Sequence, residues 1–393
     1  MQFLKSAVAI LLAAPIFGSD GNPQSPQGLT VHEWGTFTSV ADESGGAQPW
    51  APLAGPSDLP CFVEHLRGLS YKSFSAPIAA PAPQTVTVRM ETPVLYFYAP
   101  RKTTVSVSVD FPKGLITEWY PGASKISPEP STSLPLIENG HIEWNSLEIT
   151  TGEKPDLPTG VGASHYYAAR NTDADPVRIG RQQEKLLFYR GIANFNVPMS
   201  ARFTGDGGIE LGSTGDETLF HAILFENRGG RIGYRLMKGI HGVRETSAPE
   251  LTSSLDQLKQ DLAKSLVAEG LYRKEAEAMI ETWHDSWFEE GMRVFYLVPR
   301  SIVDRELPLG IQPAPAAIAR VFVGRVELLS PFMRDRLATA VTAGDVQTLD
   351  RFGRFLAPFL QRVQATAAPP VAGYLVAKAN EAARDFYNPS CVR

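Results

Sequence analysis

Strict alternation of apolar and polar residues marks one segment of the chain most clearly. In residues 104–111, three valines and a phenylalanine alternate with threonine, serine and aspartate. A period of two places every second side chain on the same face of a β-strand, so this pattern predicts a strand with one buried face. Residues 86–98 are rich in Val, Tyr and Phe, and the short link of residues 99–102 predicts that the two strands form a hairpin.

Short strand-like segments separated by turn residues continue through the first 245 residues. The clearest pair is 219–226 with 231–237, because its loop, Asn227-Arg228-Gly229-Gly230, is rich in residues that tolerate positive φ. No helical period separates these segments, so they favour an antiparallel sandwich or barrel-like sheet over a parallel α/β sheet. The other predicted strands are residues 142–149, 185–192, 201–204 and 209–211.

The hydrophobic pattern changes near Pro249. Four leucines from Leu255 to Leu266 recur at helical spacing, and helical periods return towards the C-terminus. The sequence therefore predicts an α+β fold, with an antiparallel β-sandwich-like module over residues 28–245 and a helix-rich mixed module over residues 250–393. Within the second module, a helix is predicted for residues 273–288, strands for 294–298 and 318–328, and a last helix for 371–386.

The N-terminus has the pattern of a secretory signal peptide. Lys5 precedes an unbroken apolar stretch, residues 7–17, which the small residues Gly18 and Ser19 follow. The stretch is shorter than the roughly 20 residues that span a bilayer. The sequence therefore predicts a signal peptide over residues 1–19, no membrane span in the mature chain, and a secreted or periplasmic location.

Composition limits the partners without identifying one. The 37 basic and 42 acidic residues give a net charge of -5, and no basic run stands out, so no nucleic-acid partner is expected. Export permits a disulfide between the two cysteines, Cys61 and Cys391. Two separate thiols are the alternative. We predict the bridge because it would fix a C-terminal tail that has few apolar anchors.

Several catalytic motifs are absent. The sequence has no G-x-S-x-G, no Walker loop and no G-x-G-x-x-G, and so gives no support for a nucleophile-elbow hydrolase or for nucleotide binding. His32 and Glu33 open a string that resembles H-E-x-x-H, but Thr36 occupies the position of the second histidine. A zincin needs both histidines one helical turn apart, so that motif is rejected.

The same string is nevertheless a candidate site if it forms a strand. His32, Trp34 and Thr36 would then share one face, and Glu33 and Gly35 the other. A histidine and a glutamate beside a small glycine could bind a metal or transfer a proton where another chain segment approaches closely. The alternative is an edge strand whose polar atoms only complete the sheet.

A second candidate lies where a strand-like segment carrying His165 enters a loop. Asn171, Asp173 and Asp175 occupy alternate positions there, like the opening ligands of a calcium loop. Pro176 stands where an EF-hand requires glycine, so an EF-hand is excluded. A looser calcium site and an ordinary Asx-turn loop are the two alternatives, and the turn is favoured.

Five strings of the chain are long enough to be specific: HEWGTFT at residues 32–38, METPVLYFY at 90–98, FPKGLITEWY at 111–120, EKLLFYRG at 184–191 and TWHDSWFEEG at 282–291. Together they resemble a family of exported bacterial proteins that is marked by the HEWGTFT string. The similarity spans both predicted modules. The resemblance implies export and no particular activity, and it favours a role for the HEWGTFT strand beyond edge packing.

The leading hypothesis from the sequence is an exported, metal-dependent hydrolase that acts on an envelope or extracellular polymer. Histidine and carboxylate side chains can bind zinc or calcium and activate a water, and arginines can hold an anionic group. The candidate metal ligands are His32, His165 and Asp173, and the candidate catalytic residues are Glu33, Glu91, Arg170 and Arg190.

The alternative is a non-catalytic protein that binds a glycan or an envelope partner through exposed aromatic residues. Acidic residues recur beside aromatic ones, for example at residues 33–34, 118–119 and 143–144, and sugar-handling surfaces use such pairs. The two hypotheses differ in one geometric requirement. The enzyme needs His32, Glu33, Glu91 and His165 to meet in one cleft.

We expect the mature N-terminus of the exported protein to lie close to Gly18 or Ser19, because small residues end the apolar stretch there. Periplasmic fractionation followed by N-terminal sequencing measures this directly. Recovery of an intact Met1 from a cytoplasmic fraction would overturn the predicted location.

Overall fold

A computed structural model describes residues 27–53, 59–66, 85–129, 136–160, 162 and 164–386. The predicted signal peptide, residues 1–19, and Cys391 lie outside these ranges. Cys61 is disulfide-bonded. Its predicted bridge to Cys391 stays a prediction.

Strands dominate the first 250 residues, and the mixed α+β class predicted from the hydrophobic pattern is confirmed. Within the described ranges, the strands are β1 Thr30–Val40, β2 Glu64–His65, β3 Val88–Tyr98, β4 Thr103–Phe111, β5 Gly114–Tyr120, β6 Lys125–Ser127, β7 Gly140–Ile149, β8 Val177–Ile179, β9 Gln182–Glu184, β10 Leu187–Ala193, β11 Met199–Phe203, β12 Ile209–Ser213, β13 Ala222–Arg228, β14 Arg231–Met237, β15 Val243–Thr246, β16 Gly291–Val298, β17 Leu309–Gln312 and β18 Ala317–Leu328.

Helices dominate after residue 254. The α-helices are α1 Leu255–Ala268, α2 Arg273–Thr282, α3 His284–Trp287, α4 Arg300–Glu306, α5 Pro331–Ala343, α6 Val346–Asp350, α7 Leu356–Leu360 and α8 Pro369–Phe386, and the 3-10 helices are His165–Arg170 and Gly353–Phe355. His165 therefore begins a 3-10 helix, which corrects the strand-like segment expected there. In the part of the chain that the structure describes, no helix is both long and apolar enough to cross a membrane.

Two local signals in the sequence correspond to observed elements. β13 and β14 pair as the predicted hairpin, with φ of +59° and +84° at Gly229 and Gly230 in its loop. Helix α1 begins where the Ser254 hydroxyl accepts a hydrogen bond from the backbone N–H of Gln257, which caps the leucine-rich segment.

The largest sheet joins both halves of the sequence. It has nine strands in the order β14-β13-β16-β18-β1-β3-β10-β5-β2, and β1 lies at its centre, parallel to β18 and antiparallel to β3. Because β16 and β18 lie between β13 and β1, neither half completes the sheet alone. The compositional boundary at residues 245–250 therefore does not separate two cores, and β1 is not an edge strand.

The predicted hairpin of residues 86–111 does not form. β3 lies in the nine-stranded sheet, whereas β4 pairs with β7 and β17 in a second sheet of six strands. Every residue of β3 is buried, whereas β4 alternates between buried and more exposed positions. Since the two strands have different burial requirements, the short link carries the chain from one sheet to the other.

The two faces of the nine-stranded sheet pack against different partners. Val31 and Phe37 of β1 belong to a core cluster that includes buried residues of β4 and β7. Trp34 of β1 belongs to a cluster with α1 and α2. We call these the sheet-side face and the helix-side face. A third cluster joins α5–α8 to Val40 and Trp50.

Gly324 in β18 allows the Tyr296 ring of the neighbouring strand β16 to lie across it, and a Cβ at this position would overlap that ring. We therefore expect Gly324→Ala to lower the free energy of unfolding by about 1–3 kcal/mol. Gly205→Ala is the control, because its new Cβ would have no atom within 4 Å. Circular dichroism in the near and far ultraviolet should report one shared thermal transition. Two separate transitions would contradict the shared sheet.

Candidate functional site

His32 and Glu33 face opposite sides of β1 and have separate partners. On the helix-side face, His32 Nδ1 lies 2.8 Å from Glu275 Oε2 of α2. Glu275 also accepts a 2.7 Å hydrogen bond from the Tyr98 hydroxyl and one of 2.7 Å from the backbone N–H of Tyr272. His32 therefore anchors the first turn of α2 to the central strand of the sheet.

Glu33 is fully buried on the sheet-side face. Arg320 Nε of β18 donates to Glu33 Oε2 at 2.5 Å, and the Tyr189 hydroxyl donates to the other oxygen. Arg320 Nη1 continues to Asp304 of α4 at 2.7 Å. Burial alone would lower the pKa of Arg320, but Glu33, Tyr189 and Asp304 together outweigh burial and raise it. Glu33 is thus half of an internal ion pair that connects the sheet to α4.

The other two proposed metal ligands also lie apart. His165 Nε2 is 2.7 Å from Asp285 Oδ2, whereas Asp173 accepts a 2.5 Å hydrogen bond from Lys274 Nζ. Among the described residues, no three His, Cys, Asp or Glu side chains are grouped so that they could hold a metal ion. The expected zinc or calcium site therefore has no ligand set in this part of the chain.

Arg170 is committed to an internal ion pair. Its Nη2 donates to Glu184 Oε2 at 2.6 Å, and the Glu184 side chain is fully buried. The guanidinium carbon lies 5.7, 5.3 and 5.0 Å from the ring centres of Phe62, Tyr166 and Tyr167. Stacking on these rings adds to the pairing, so the contacts explain Arg170 without a ligand.

Glu91 and Arg190 are the two sequence candidates that lie in one row of charged residues. Three neighbouring strand pairs, β1–β3, β3–β10 and β10–β5, each have an irregularity in their register. These irregularities lie at Glu91, Arg190 and Glu118. Thr92, which follows Glu91, has φ of +47°, a value that a β-branched residue rarely adopts. Backbone strain of this kind is found preferentially at functional sites, so it marks the row as a candidate.

We call this row the arginine band. Five arginines and four glutamates cross the helix-side face between β16 and β5, and the seven that belong to strands are at most 8% exposed. Burying a charge is costly unless an opposite charge neutralises it, so the mixture of signs is a condition for the band to exist. Its members are Arg89, Arg190, Arg293, Arg325, Arg354, Glu91, Glu118, Glu289 and Glu327.

Glu91 lies at the centre of the band. Thr38 Oγ1 donates to its Oε2 at 2.5 Å, Arg354 donates to both of its oxygens, and Arg89 Nε lies 3.6 Å from Oε1. Burial alone would raise the pKa of Glu91, but Arg354, Arg89 and Arg325 together outweigh burial and lower the pKa to about 2. Glu91 is therefore ionised near neutral pH.

Arg325 connects the band to residues 286–289, which lie outside the sheet. Its Nε donates to Glu327 Oε1 at 2.5 Å, its Nη1 to Ser286 Oγ at 2.9 Å and its Nη2 to Glu289 Oε1 at 2.8 Å. Arg293 Nε shares the same Glu327 oxygen at 2.9 Å. Burial alone would lower the pKa of Arg325, but the surrounding carboxylates raise it. Every nitrogen of this guanidinium thus has a hydrogen-bond acceptor.

The opposite end of the band contains a histidine. Arg190 is in register with Glu118, which is in turn opposite His65 of β2. Burial lowers the pKa of His65, the Glu118 carboxylate raises it by less, and Arg190 lowers it further. His65 is therefore neutral near pH 7. The Arg190 guanidinium lies 6.0 Å from the ring centre of Trp283.

Residues 283–289 cover the band, and we call this segment the cover. Arg293 Nη1 fixes it by donating to the backbone carbonyls of Trp287 at 2.6 Å and Glu289 at 2.9 Å. Arg293 is itself almost fully buried. The cover is therefore held by the same sheet whose charges it shields from solvent.

The band reaches solvent beside the cover. The side chains of Arg354 and Glu289 are 23% and 36% exposed. Ser286 Oγ lies between these groups and accepts a 3.3 Å hydrogen bond from Arg354 Nη2. At the other end of the cover, the His165 ring lies 6.1 Å from that of Trp283. Arg354 and Glu289 are thus the members of the band that solvent reaches, and we call their exposed edges the mouth of the band.

Sequence reasoning missed Arg325, Arg354 and Ser286. Arg325 lies within an apolar run that predicted only a buried strand, and no periodicity distinguishes a buried arginine from an exposed one. The useful signal was the string TWHDSWFEEG at residues 282–291, which contains the whole cover, together with METPVLYFY at residues 90–98, which contains Glu91.

Comparison with known proteins assigns no family. No family model and no curated protein matches the chain. Among solved structures, it is similar to the Fcho1 mu-homology domain of Danio rerio with bound Eps15 peptide, at 8% identity and a TM-score of 0.30, covering 78% of this chain and 98% of that chain. It is similar to the yeast delta-COP-I mu-homology domain at 8% identity and a TM-score of 0.29, with the same coverage. At these TM-scores, the likenesses carry no argument about function.

Removing the central carboxylate should destabilise the protein strongly. We expect Glu91→Gln to lower the free energy of unfolding by about 3–5 kcal/mol, because it leaves buried guanidiniums uncompensated. Glu210→Gln is the matched control. Its carboxylate pairs with Arg202 at a partly exposed position, where such pairs contribute about 1 kcal/mol or less. Chemical denaturation at neutral pH measures both changes, and equal effects would contradict the central role of Glu91.

The same carboxylate should give the protein a distinct acid response. The pKa of Glu91 is lowered from 4.5 to about 2 in the folded state. Its contribution to stability is therefore fully present above the unfolded pKa and is lost as pH falls through the folded pKa. Denaturation at a series of pH values between these two limits should show this loss in the parent. Glu91→Gln should lack that component, and identical pH profiles would contradict the assignment.

Proposed function

We propose that this protein is exported and binds an acidic glycan of the cell envelope or surroundings at the mouth of the arginine band, without catalysing a reaction. The observation that supports it is the charge of the band, in which five guanidiniums face four carboxylates. Guanidinium groups recognise carboxylates through paired N–H donors, so a site with one surplus guanidinium favours an anionic ligand.

The geometry gives less support to a metal-dependent hydrolase. That activity needs its ligands and its base to share a site, whereas His32 and Glu33 lie on opposite faces of β1. His165 and Asp173 each have a different partner. A binding role does not require these residues to converge, and it needs only the accessible arginine edge of the band.

Arg354 is the member of the band that a ligand would meet first. It is the most exposed of the arginines that contact Glu91, and it lies on the short 3-10 helix Gly353–Phe355 beside the cover. An acidic sugar approaching the opening would reach Arg354 before the buried members. Glu91 and Ser286 already orient the guanidinium of Arg354, whose N–H groups would pair with the negative charge of the sugar.

The packing of the two sheets and the export of the protein are also parts of this proposal. We infer that the nine-stranded and six-stranded sheets pack as a sandwich-like pair, because buried residues of both contribute to one core cluster. Export and kinship with the family marked by HEWGTFT stay predictions. They are consistent with a ligand that is found outside the cytoplasm.

The binding test compares an acidic with a neutral oligosaccharide. We expect the parent to bind oligogalacturonate and not a malto-oligosaccharide of equal length, with an affinity that falls as salt rises. Arg354→Gln should weaken binding about tenfold or more, which corresponds to about 1.4 kcal/mol, and Arg354→Lys should retain part of it. Titration followed by tryptophan fluorescence measures these affinities.

Arg178→Gln is the control, because Arg178 is a partly exposed arginine paired with Glu148 and Glu153 on the six-stranded sheet. It should leave oligogalacturonate binding unchanged. Thermal unfolding of each variant separates lost binding from lost folding. Equal affinity for the two oligosaccharides, or no affinity for either, would contradict the proposed function.

A further inference from the structure

The mouth of the arginine band presents one positive and one negative side chain to solvent. The Arg354 side chain is 23% exposed, and that of Glu289 is 36% exposed. Ser286 lies between them and is itself partly exposed. A ligand at the mouth therefore meets a guanidinium, a hydroxyl and a carboxylate side by side, and not a purely basic patch.

A continuous chain of hydrogen bonds joins these three groups. Arg354 Nη2 donates to Ser286 Oγ at 3.3 Å, and Arg325 Nη1 donates to the same oxygen at 2.9 Å. The other terminal nitrogen of Arg325, Nη2, donates to Glu289 Oε1 at 2.8 Å. Because one guanidinium bridges Ser286 and Glu289, the positive and the negative group of the mouth are close enough for one ligand to contact both.

Aromatic packing fixes the two arginines that carry this chain of hydrogen bonds. The guanidinium carbons of Arg325 and Arg354 each lie 5.0 Å from the ring centre of Phe355, and that ring stacks on the buried Trp50 at 5.6 Å. The electrons of an aromatic ring stabilise a guanidinium that lies over it. The polar groups of the mouth are therefore oriented before a ligand arrives, which lowers the entropic cost of binding.

Each end of the mouth keeps one polar atom for a ligand. The contacts of Arg354 with the described residues use Nη1 and Nη2, so Nε remains as a donor. In the Glu289 carboxylate, Oε1 accepts from Arg325, and nothing in the described part of the chain donates to Oε2. A guanidinium can only donate, and a carboxylate can only accept. The mouth therefore favours a ligand with an acceptor at one end and a donor at the other.

Two classes of acidic glycan differ in what they offer to Glu289. A uronic acid has a carboxylate, which accepts from Arg354, and free hydroxyl groups, which can donate to Glu289. In a sulfated sugar, sulfate esters replace hydroxyl groups, so a negative group that has no proton to donate faces the same carboxylate. Like charges that face each other across an interface oppose binding and thereby exclude one class of ligand.

We propose that the mouth selects glycans whose acidity comes from carboxylates over sulfated glycans, and that Glu289 is the residue that determines this specificity. The inference rests on the proposed binding of an acidic glycan at the same mouth, and it identifies the class of acidic glycan. Arg354 attracts the anionic group of the ligand, whereas Glu289 accepts from its hydroxyl groups and repels a second anionic group.

Calorimetric titration of the full chain with two ligands of equal length tests the selection. The ligands are oligogalacturonate and a sulfated malto-oligosaccharide that carries more negative charge per sugar. Attraction to arginine alone would favour the more highly charged ligand. We expect the reverse, with oligogalacturonate bound about tenfold or more tightly. Equal or tighter binding of the sulfated ligand would overturn the inference, and this comparison needs only the parent protein.

Glu289→Gln removes the negative charge and keeps an oxygen that can accept from Arg325. It should reduce the preference for oligogalacturonate about tenfold or more, chiefly because the sulfated ligand binds more tightly. Glu290→Gln is the matched control, because the neighbouring carboxylate accepts at 2.5 Å from Arg336 Nη1 of α5, outside the band. The same loss of charge there should leave the preference unchanged.

Thermal unfolding of each variant shows whether it is folded under the conditions of the titration. A preference that persists in folded Glu289→Gln, or that falls equally in Glu290→Gln, would overturn the role of Glu289. A preference that is lost in Glu289→Gln and kept in Glu290→Gln supports it.

The outcomes also separate this inference from the proposed function. A parent protein that binds oligogalacturonate and the sulfated ligand equally tightly would overturn the inference and leave the binding role intact. A parent protein that binds neither acidic ligand would overturn both.

Discussion

Several guanidinium groups buried on one face of a β-sheet must be neutralised where they lie, and Glu91 is the group on which this neutralisation depends most. Arg354 and Arg89 both contact its carboxylate, and Arg325 adds to the field that keeps it ionised. Arg354 belongs to the C-terminal helical region, whereas Arg325 and Arg89 belong to the sheet. The pairing with Glu91 therefore also fixes the position of that region over the strands, together with the stacking of Phe355 on Trp50.

The charged row depends on irregular strands. A regular β3 would send alternate residues to the two faces along its whole length, yet Met90 and Leu95 both belong to the sheet-side cluster although they are five residues apart. The extra residue lies at Thr92, whose φ of +47° is unfavourable for threonine. Because this irregularity lies directly beside Glu91, the strained backbone and the buried charge occur at the same point of β3. Tight pairing around Glu91 stabilises a backbone that would otherwise relax.

The parts of the fold that could be predicted from sequence are those that local patterns determine. The β13–β14 hairpin follows from two glycines in a short loop, and α1 follows from leucine spacing with a serine cap. The partners of β3 and β4 could not be predicted, because the link between them is equally compatible with a hairpin and with a crossing between sheets. The parallel pairing of β1 with β18 joins residues almost 300 positions apart, and no local pattern encodes such a contact.

The candidate site shows the same division between local and long-range information. The HEWGTFT strand attracted attention through His32 and Glu33, and both have structural explanations: one anchors α2, and the other neutralises Arg320. Gly35 is explained by the Phe322 ring, which a Cβ at that position would overlap. Trp34 Nε1 and Thr36 Oγ1 are the side-chain atoms of the string that are buried without a hydrogen-bond partner among the described residues. Sequence reasoning placed the candidate site on the ionisable residues of the string, whereas the structure gives each of them an internal partner on a different face of β1.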